Sequence, residues 1–209
     1  MCSSDLGNIK MVLGKNYTPG TWLVDSLQSN GFSDWKSMSL FNKPADISFD
    51  SDDNIYVADG YGNNRIVKFN SEGKFILEWG TKGNNKGEFN LPHGITIDNN
   101  DIIYVADREN ARIQLFDTNG NFIRYWENVG YPYGIKYFNG FIYISDARNE
   151  KIKKINLKGE ILWEVGSPGK SEGQFGWAHG LDIDSDGNIY VSEILNWRIQ
   201  KIKINNEIN

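Results

Sequence analysis

The chain has 209 residues, 39% of them hydrophobic and 13% aromatic, which is enough apolar surface for a core and too much for a disordered polymer. A formal net charge of -5 lacks the overall basic footprint that phosphate neutralisation needs, so nucleic acid is not an expected partner, although a local basic face is left open. One cysteine, Cys2, excludes a disulfide within the chain, and no apolar run approaches the ~20 residues of a membrane-spanning helix.

Taken in order, residues 1–7 have no apolar signal-peptide core. Met1-Cys2-Ser3-Ser4-Asp5-Leu6 reads as a translated sequencing adapter rather than native chain, with an ordinary polar N-terminus as the alternative. Asn8 to Gly14 then resembles the last strand of a repeat, like Phe75 to Gly80 and Ile161 to Gly166, so residues 8–209 are expected to begin partway through a repeat. Residues 15–43 form a long connector carrying Trp22, Phe32 and Trp35.

From residue 44 a pattern recurs four times. An opening turn stands at Pro44-Ala45-Asp46-Ile47, Pro92-His93-Gly94-Ile95, Pro132-Tyr133-Gly134-Ile135 and Ala178-His179-Gly180-Leu181. A short apolar run ending in an acid follows, at Asp59, Asp107, Asp146 and Glu193; then a cation, Arg65, Arg112, Lys151 or Arg198, leads an alternating strand. Recurrence in every copy marks these acids and cations as scaffold. The turns lie 48, 40 and 46 residues apart, a period that fits one four-stranded propeller blade. Apolar runs of four or five residues and hairpin turns ending in Gly73, Gly120 and Gly159 argue for short antiparallel strands, with almost no helix. An all-β propeller of about four blades is expected, with inner strands starting near Ile47, Ile95, Ile135 and Leu181. The last copy, Ala178 to Ile204, has three strands, which the lone strand at Ile9–Leu13 could complete.

The pattern Pro-x-Gly-Ile, Ile-Tyr-Val-Ala-Asp, Asn-x-Arg-Ile resembles the NHL repeat, whose propellers usually have six blades. Val57 to Phe69, Gly73 to Gly80 and Ala106 to Gln114 further resemble the peptidyl-α-hydroxyglycine α-amidating lyases, zinc enzymes that release a peptide amide and glyoxylate. The resemblance covers roughly residues 44–204 and is strongest over 55–115.

His93 and His179 are the chain's two histidines, and both directly follow the opening of a repeat. Equivalent positions of different blades converge on the axis, so the two imidazoles are expected to face each other and serve as metal ligands. The alternative is that each fills a turn. His alternates with Ala45 and Tyr133, and the resemblance implies that His93 and His179 are the second and third of three zinc histidines. It also implies that Tyr61 is the catalytic tyrosine and Arg108 an active-site arginine. A phenol is a poor base near neutrality, but a metal and a cation beside it favour its ionised form; an arginine can also clamp a substrate carboxylate. Otherwise Tyr61 is a turn aromatic and Arg108 a solvated charge. Gly180 stands where animal lyases place a calcium-ligating carboxylate, and Gly62 where they place a cysteine, so neither calcium nor that disulfide is expected.

Three functions compete. The first is a zinc lyase acting on a small peptide-like substrate. The second is a non-catalytic propeller binding a protein or glycan, and the third, disfavoured by charge, is RNA binding. A soluble protein is expected; for the full-length protein, secretion or a periplasmic location is left open. Stepping back two blades from His93 lands on the repeat whose last strand is Ile9–Leu13. The intact gene should therefore encode another His-bearing turn roughly 30 to 40 residues before Ile9, one repeat less its last strand, and this chain alone should hold zinc weakly. Sequencing the locus checks this: an upstream turn without His, Asp, Glu or Cys would remove the third ligand.

Overall fold

The computed structural model describes residues 41–203. The leader at 1–7, the expected strand at Asn8–Gly14 and residues 15–40 of the connector lie outside them. Among the described residues there are fifteen strands: β1 (Asp46–Phe49), β2 (Ile55–Asp59), β3 (Arg65–Phe69), β4 (Phe75–Trp79), β5 (Pro92–Ile97), β6 (Ile103–Asp107), β7 (Arg112–Phe116), β8 (Phe122–Trp126), β9 (Pro132–Phe138), β10 (Phe141–Asp146), β11 (Lys151–Asn156), β12 (Ile161–Val165), β13 (Ala178–Ile183), β14 (Ile189–Glu193) and β15 (Arg198–Ile202). They form antiparallel sheets in chain order, β1–β4, β5–β8, β9–β12 and β13–β15. The first strands of successive sheets lie side by side, β1 by β5, β5 by β9 and β9 by β13. This is the expected all-β propeller arrangement of four blades, the fourth with three strands among the described residues. No helix among them is long and apolar enough to cross a membrane.

The hydrophobic core sits between blades. Tyr56, Ala58 and Ile66 of the first blade pack against Phe89, Ile95, Ile103, Val105 and Phe116. Ala106, Ile113 and Leu115 meet Val129, Ile135 and Ile142, and Tyr143 and Ile152 meet Phe175, Ile189 and Val191. In the two middle sheets one face therefore packs on the preceding blade and the other on the next. That is why the apolar runs are continuous and not strictly alternating. Each buried Ile, Leu or Phe contributes about 1.5–3 kcal/mol relative to exposure.

A buried acid ends the second strand of each blade and ties three elements together. Asp107 accepts the Asn90 backbone N–H at 2.7 Å, Arg112 Nε at 2.8 Å and Asn110 Nδ2 at 2.9 Å. Asp59 does the same with the Asn42 N–H, Arg65 and Asn63, and Glu193 with the Gly176 N–H, Arg198 and Asn196. The third blade departs from expectation. Asp146 accepts the Tyr131 N–H and Asn149, but its cation is Lys153 Nζ at 2.7 Å. Lys151, at the arginine position, lies 3.5 Å from Glu164 at the surface. A lysine stem there cannot turn back to the carboxylate as an arginine fork does; Lys153, two residues on and 6% exposed, takes over and also donates to the Val129 carbonyl.

Replacing Lys153 with Met should therefore leave Asp146 without its buried cation and cost about 3 kcal/mol. Lys151→Ala should cost less than about 0.5 kcal/mol. Urea unfolding of both variants checks the assignment, and equal effects would reverse it.

Candidate functional site

The innermost strands do not all run alike. β1 pairs regularly with β2, Asp46 opposite Ala58 and Ile47 opposite Val57. In β5 the pairing jumps from Pro92 opposite Asp107 to Ile95 opposite Val105, which sets His93 and Gly94 against the single residue Ala106. β9 bulges likewise at Tyr133 and Gly134, and β13 at His179. These bulges also explain why β5, β9 and β13 begin three residues before the expected starts. A bulge turns a strand and re-aims a side chain; here it re-aims the residue after the opening Pro or Ala. Glycine must follow because the next blade presses in: a Cβ on Gly94 would lie 2.7 Å from the Tyr133 carbonyl oxygen.

His93 and His179 consequently meet, their ring centroids 4.8 Å apart and edge to face. His93 is 5% exposed and its Nδ1 lies 2.9 Å from the Tyr133 carbonyl oxygen. A carbonyl only accepts, so Nδ1 carries the hydrogen and Nε2 presents a lone pair. That Nε2 is 2.8 Å from the Tyr61 hydroxyl, and His179 Nε2 is 3.4 Å from the same oxygen. Tyr61 reaches this point from a turn one residue longer than its counterparts: Asp59 and Arg65 are six apart, Asp107 and Arg112 five. Gly60 lets the turn lie on β5, since a Cβ there would come within 1.8 Å of the Pro92 carbonyl.

Arg108 opens a single turn of 3-10 helix, Arg108–Asn110, in line with the expectation of almost no helix. Its guanidinium lies 5.5 Å from the Tyr61 ring centroid and 4.5 Å from that of Tyr133, so it joins the two histidines and Tyr61 at one mouth. Its Nε donates to Glu109 Oε1 at 3.0 Å. The other oxygen of Glu109 accepts from Arg148 at 2.6 Å, whose guanidinium stacks 4.2 Å over Tyr131. The terminal nitrogens of Arg108 make no hydrogen bond among the described residues, which leaves them for a ligand.

Burial pushes His93 down from 6.5 to about 4; the bond to the Tyr133 carbonyl opposes this, and His179 and Arg108 add to it. His179 is lowered by burial and then by Arg108. Both imidazoles are thus neutral near pH 7, the form a metal needs. The His93 lone pair is fixed by its carbonyl partner in the way metal-ligating histidines are usually held. The two Nε2 atoms converge on one oxygen, so these residues suit a zinc ion, although they supply two ligands of the usual three or four.

Tyr133, which the sequence marks only as a gap between histidines, walls the site. Its ring lies 5.2 Å from His93, 5.5 Å from His179 and 5.6 Å from Trp177. Its shared register with the histidines was the available signal. Glu109 and Arg148 share the register of Tyr61 and could have been found in the same way.

The family model described as "NHL repeat" matches residues 41–69 and 89–116, which span β1–β3 and the linker through β7. The chain carries NHL repeats. It is 35% identical over 215 residues to NHL repeat-containing protein 3 of Mus musculus, covering 95% of this chain and 56% of that one. It is 26% identical over 209 residues to a Caenorhabditis elegans protein named "Probable peptidyl-alpha-hydroxyglycine alpha-amidating lyase", covering 94% of this chain and 55% of that one. Among solved structures, virginiamycin B lyase from Staphylococcus aureus matches with a TM-score of 0.59 at 21% identity, over 81% of this chain and 59% of that one, which shows the fold alone. The chain thus spans little more than half the length of these proteins. Both segments matched as NHL repeats contribute to the mouth: β5 supplies His93, and the turns after β2 and β6 supply Tyr61 and Arg108.

Because His93 titrates lower when folded than when unfolded, the unfolded chain binds the extra proton. Stability should be full above pH 6.5 and fall as pH drops toward 4, by at most about 3 kcal/mol from this group. Urea midpoints against pH check this: His93→Gln should flatten that window, and an unchanged slope would show that His93 is not the group responsible.

Proposed function

We propose that this chain carries the active-site mouth of a zinc-dependent lyase that cleaves a hydroxyglycine-type C–N bond to give an amide and glyoxylate. The convergence of His93 Nε2 and His179 Nε2 on the Tyr61 hydroxyl, beside Arg108, is the observation that carries it. His93 and His179 would hold the zinc, whose contribution is to acidify the substrate hydroxyl. The end nitrogens of Arg108 would bind the substrate carboxylate through two parallel N–H···O bonds. Tyr61 would take the hydroxyl proton. As that proton leaves, the carbon–oxygen bond becomes the aldehyde carbonyl of glyoxylate, the C–N electron pair passes to nitrogen, and the amide nitrogen takes up a proton. Tyr133 walls one side of the site.

A second function has its own support. Among the described residues no third His, Cys, Asp or Glu joins the two imidazoles as a metal group. A closed Tyr61–His93–His179 network floored by aromatic rings also suits a propeller that binds a protein or glycan without reaction.

Metal analysis of the full-length protein separates the two, at about one zinc per chain for the lyase and none for the binding module. In the lyase, Tyr61→Phe should lower kcat by roughly 100-fold or more with little change in KM. Arg108→Ala should instead raise KM for a substrate bearing a free carboxylate. Absence of both zinc and turnover of an N-acyl-α-hydroxyglycine would remove the lyase.

A further inference from the structure

The two histidines sit on strands that are not neighbours, β5 and β13, with β9 between them. Their side chains touch across the mouth, yet a continuous path of hydrogen bonds also joins them through the protein. His93 Nδ1–H donates to the Tyr133 carbonyl at 2.9 Å. The N–H of that same peptide group, on Gly134, donates to Ser145 Oγ at 2.8 Å. Ser145 Oγ in turn donates to the His179 carbonyl at 3.0 Å. Every donor points the same way, so each bond polarises the next.

Ser145 is wholly buried and lies on β10 opposite the bulge of β9. The same position holds Ala58 and Ala106 in the first two blades, so the fold does not require a hydroxyl there. In the fourth blade, among the described residues, Ser192 bonds only to Gly180 of its own sheet, at 3.2 and 3.4 Å. Ser145 is therefore the one of these four residues whose hydroxyl crosses to a histidine of the next blade. Gly134 allows the approach: a Cβ there would sit 3.0 Å from both Ser145 Oγ and the Leu181 backbone nitrogen.

We propose that Ser145 is a positioning residue that fixes the separation of His93 and His179 through the Tyr133–Gly134 peptide group. Its value for metal binding rests on the zinc site proposed above; the mechanical coupling does not. Partners one bond removed from a ligand commonly change metal affinity 10- to 100-fold when lost, because a ligand pair held at one spacing loses less freedom on binding.

The test is Ser145→Ala, the residue that the first two blades already carry, followed in metal-free protein by NMR of the imidazole rings. With two histidines in the chain the ring signals are readily assigned. Gly134 loses its acceptor directly and will exchange faster in any case. The informative proton is His93 Nδ1–H, which Ser145 does not touch. We expect its solvent exchange to rise about tenfold, the scale of one lost hydrogen bond, and the His93–His179 ring-to-ring signal to weaken. An unchanged His93 N–H and unchanged ring contacts would overturn the proposal and leave Ser145 a local strand residue. A zinc titration by chelator competition should show about tenfold weaker binding in the variant. If the full-length protein takes up no zinc while the exchange result holds, the zinc site fails and the coupling stands.

Discussion

The site depends on a carboxylate buried at the end of the second strand of each blade. Asp59, Asp107, Asp146 and Glu193 each reach back 15 to 17 residues to hold the backbone of the segment that opens their own blade. Each also takes an asparagine from the turn that follows and a cation from the third strand. Fully buried anions of this kind are tolerated because both carboxylate oxygens have partners. Their effect is to fix the opening of the innermost strand against the turn after the second strand. Those are the two places from which the histidines, Tyr61 and Arg108 project.

On that frame, the bulges supply direction. A regular ladder at β5 would alternate side chains between the sheet's faces; the extra residue at His93 and Gly94 breaks the alternation and sends the imidazole into the mouth. β1, lacking both the bulge and the glycine, has Asp46 there, and its carboxylate accepts the Ile95 N–H of the neighbouring blade at 3.0 Å. The glycine position thus holds a brace in the first blade, while the position before it carries Ala45 there and the histidines in the second and fourth.

The electrostatics follow from the same packing. The imidazoles lie where burial and a nearby guanidinium both oppose protonation, and the guanidinium stays beside them because Glu109 and the faces of two tyrosines hold it. Positive charge is therefore kept beside the mouth while the imidazoles remain neutral, an arrangement that favours an anionic group entering there.

The fold was legible in the sequence because blades repeat: turn, apolar run, acid and cation recur at a period that only a short-stranded sheet can use. Register made His93 and His179 visible as a pair, and the resemblance to the amidating lyases singled out Tyr61 and Arg108. What the sequence could not give was contact between blades. The replacement of Lys151 by Lys153 depends on which side chain turns toward Asp146, and Ser145 looks like any small residue of a strand. The closeness of the two imidazoles depends on how far adjacent blades can approach at Gly94 and Gly134. Periodicity is a local property written along the chain; distances across the mouth are set by the packing of one sheet on the next, and only the tertiary structure decides them.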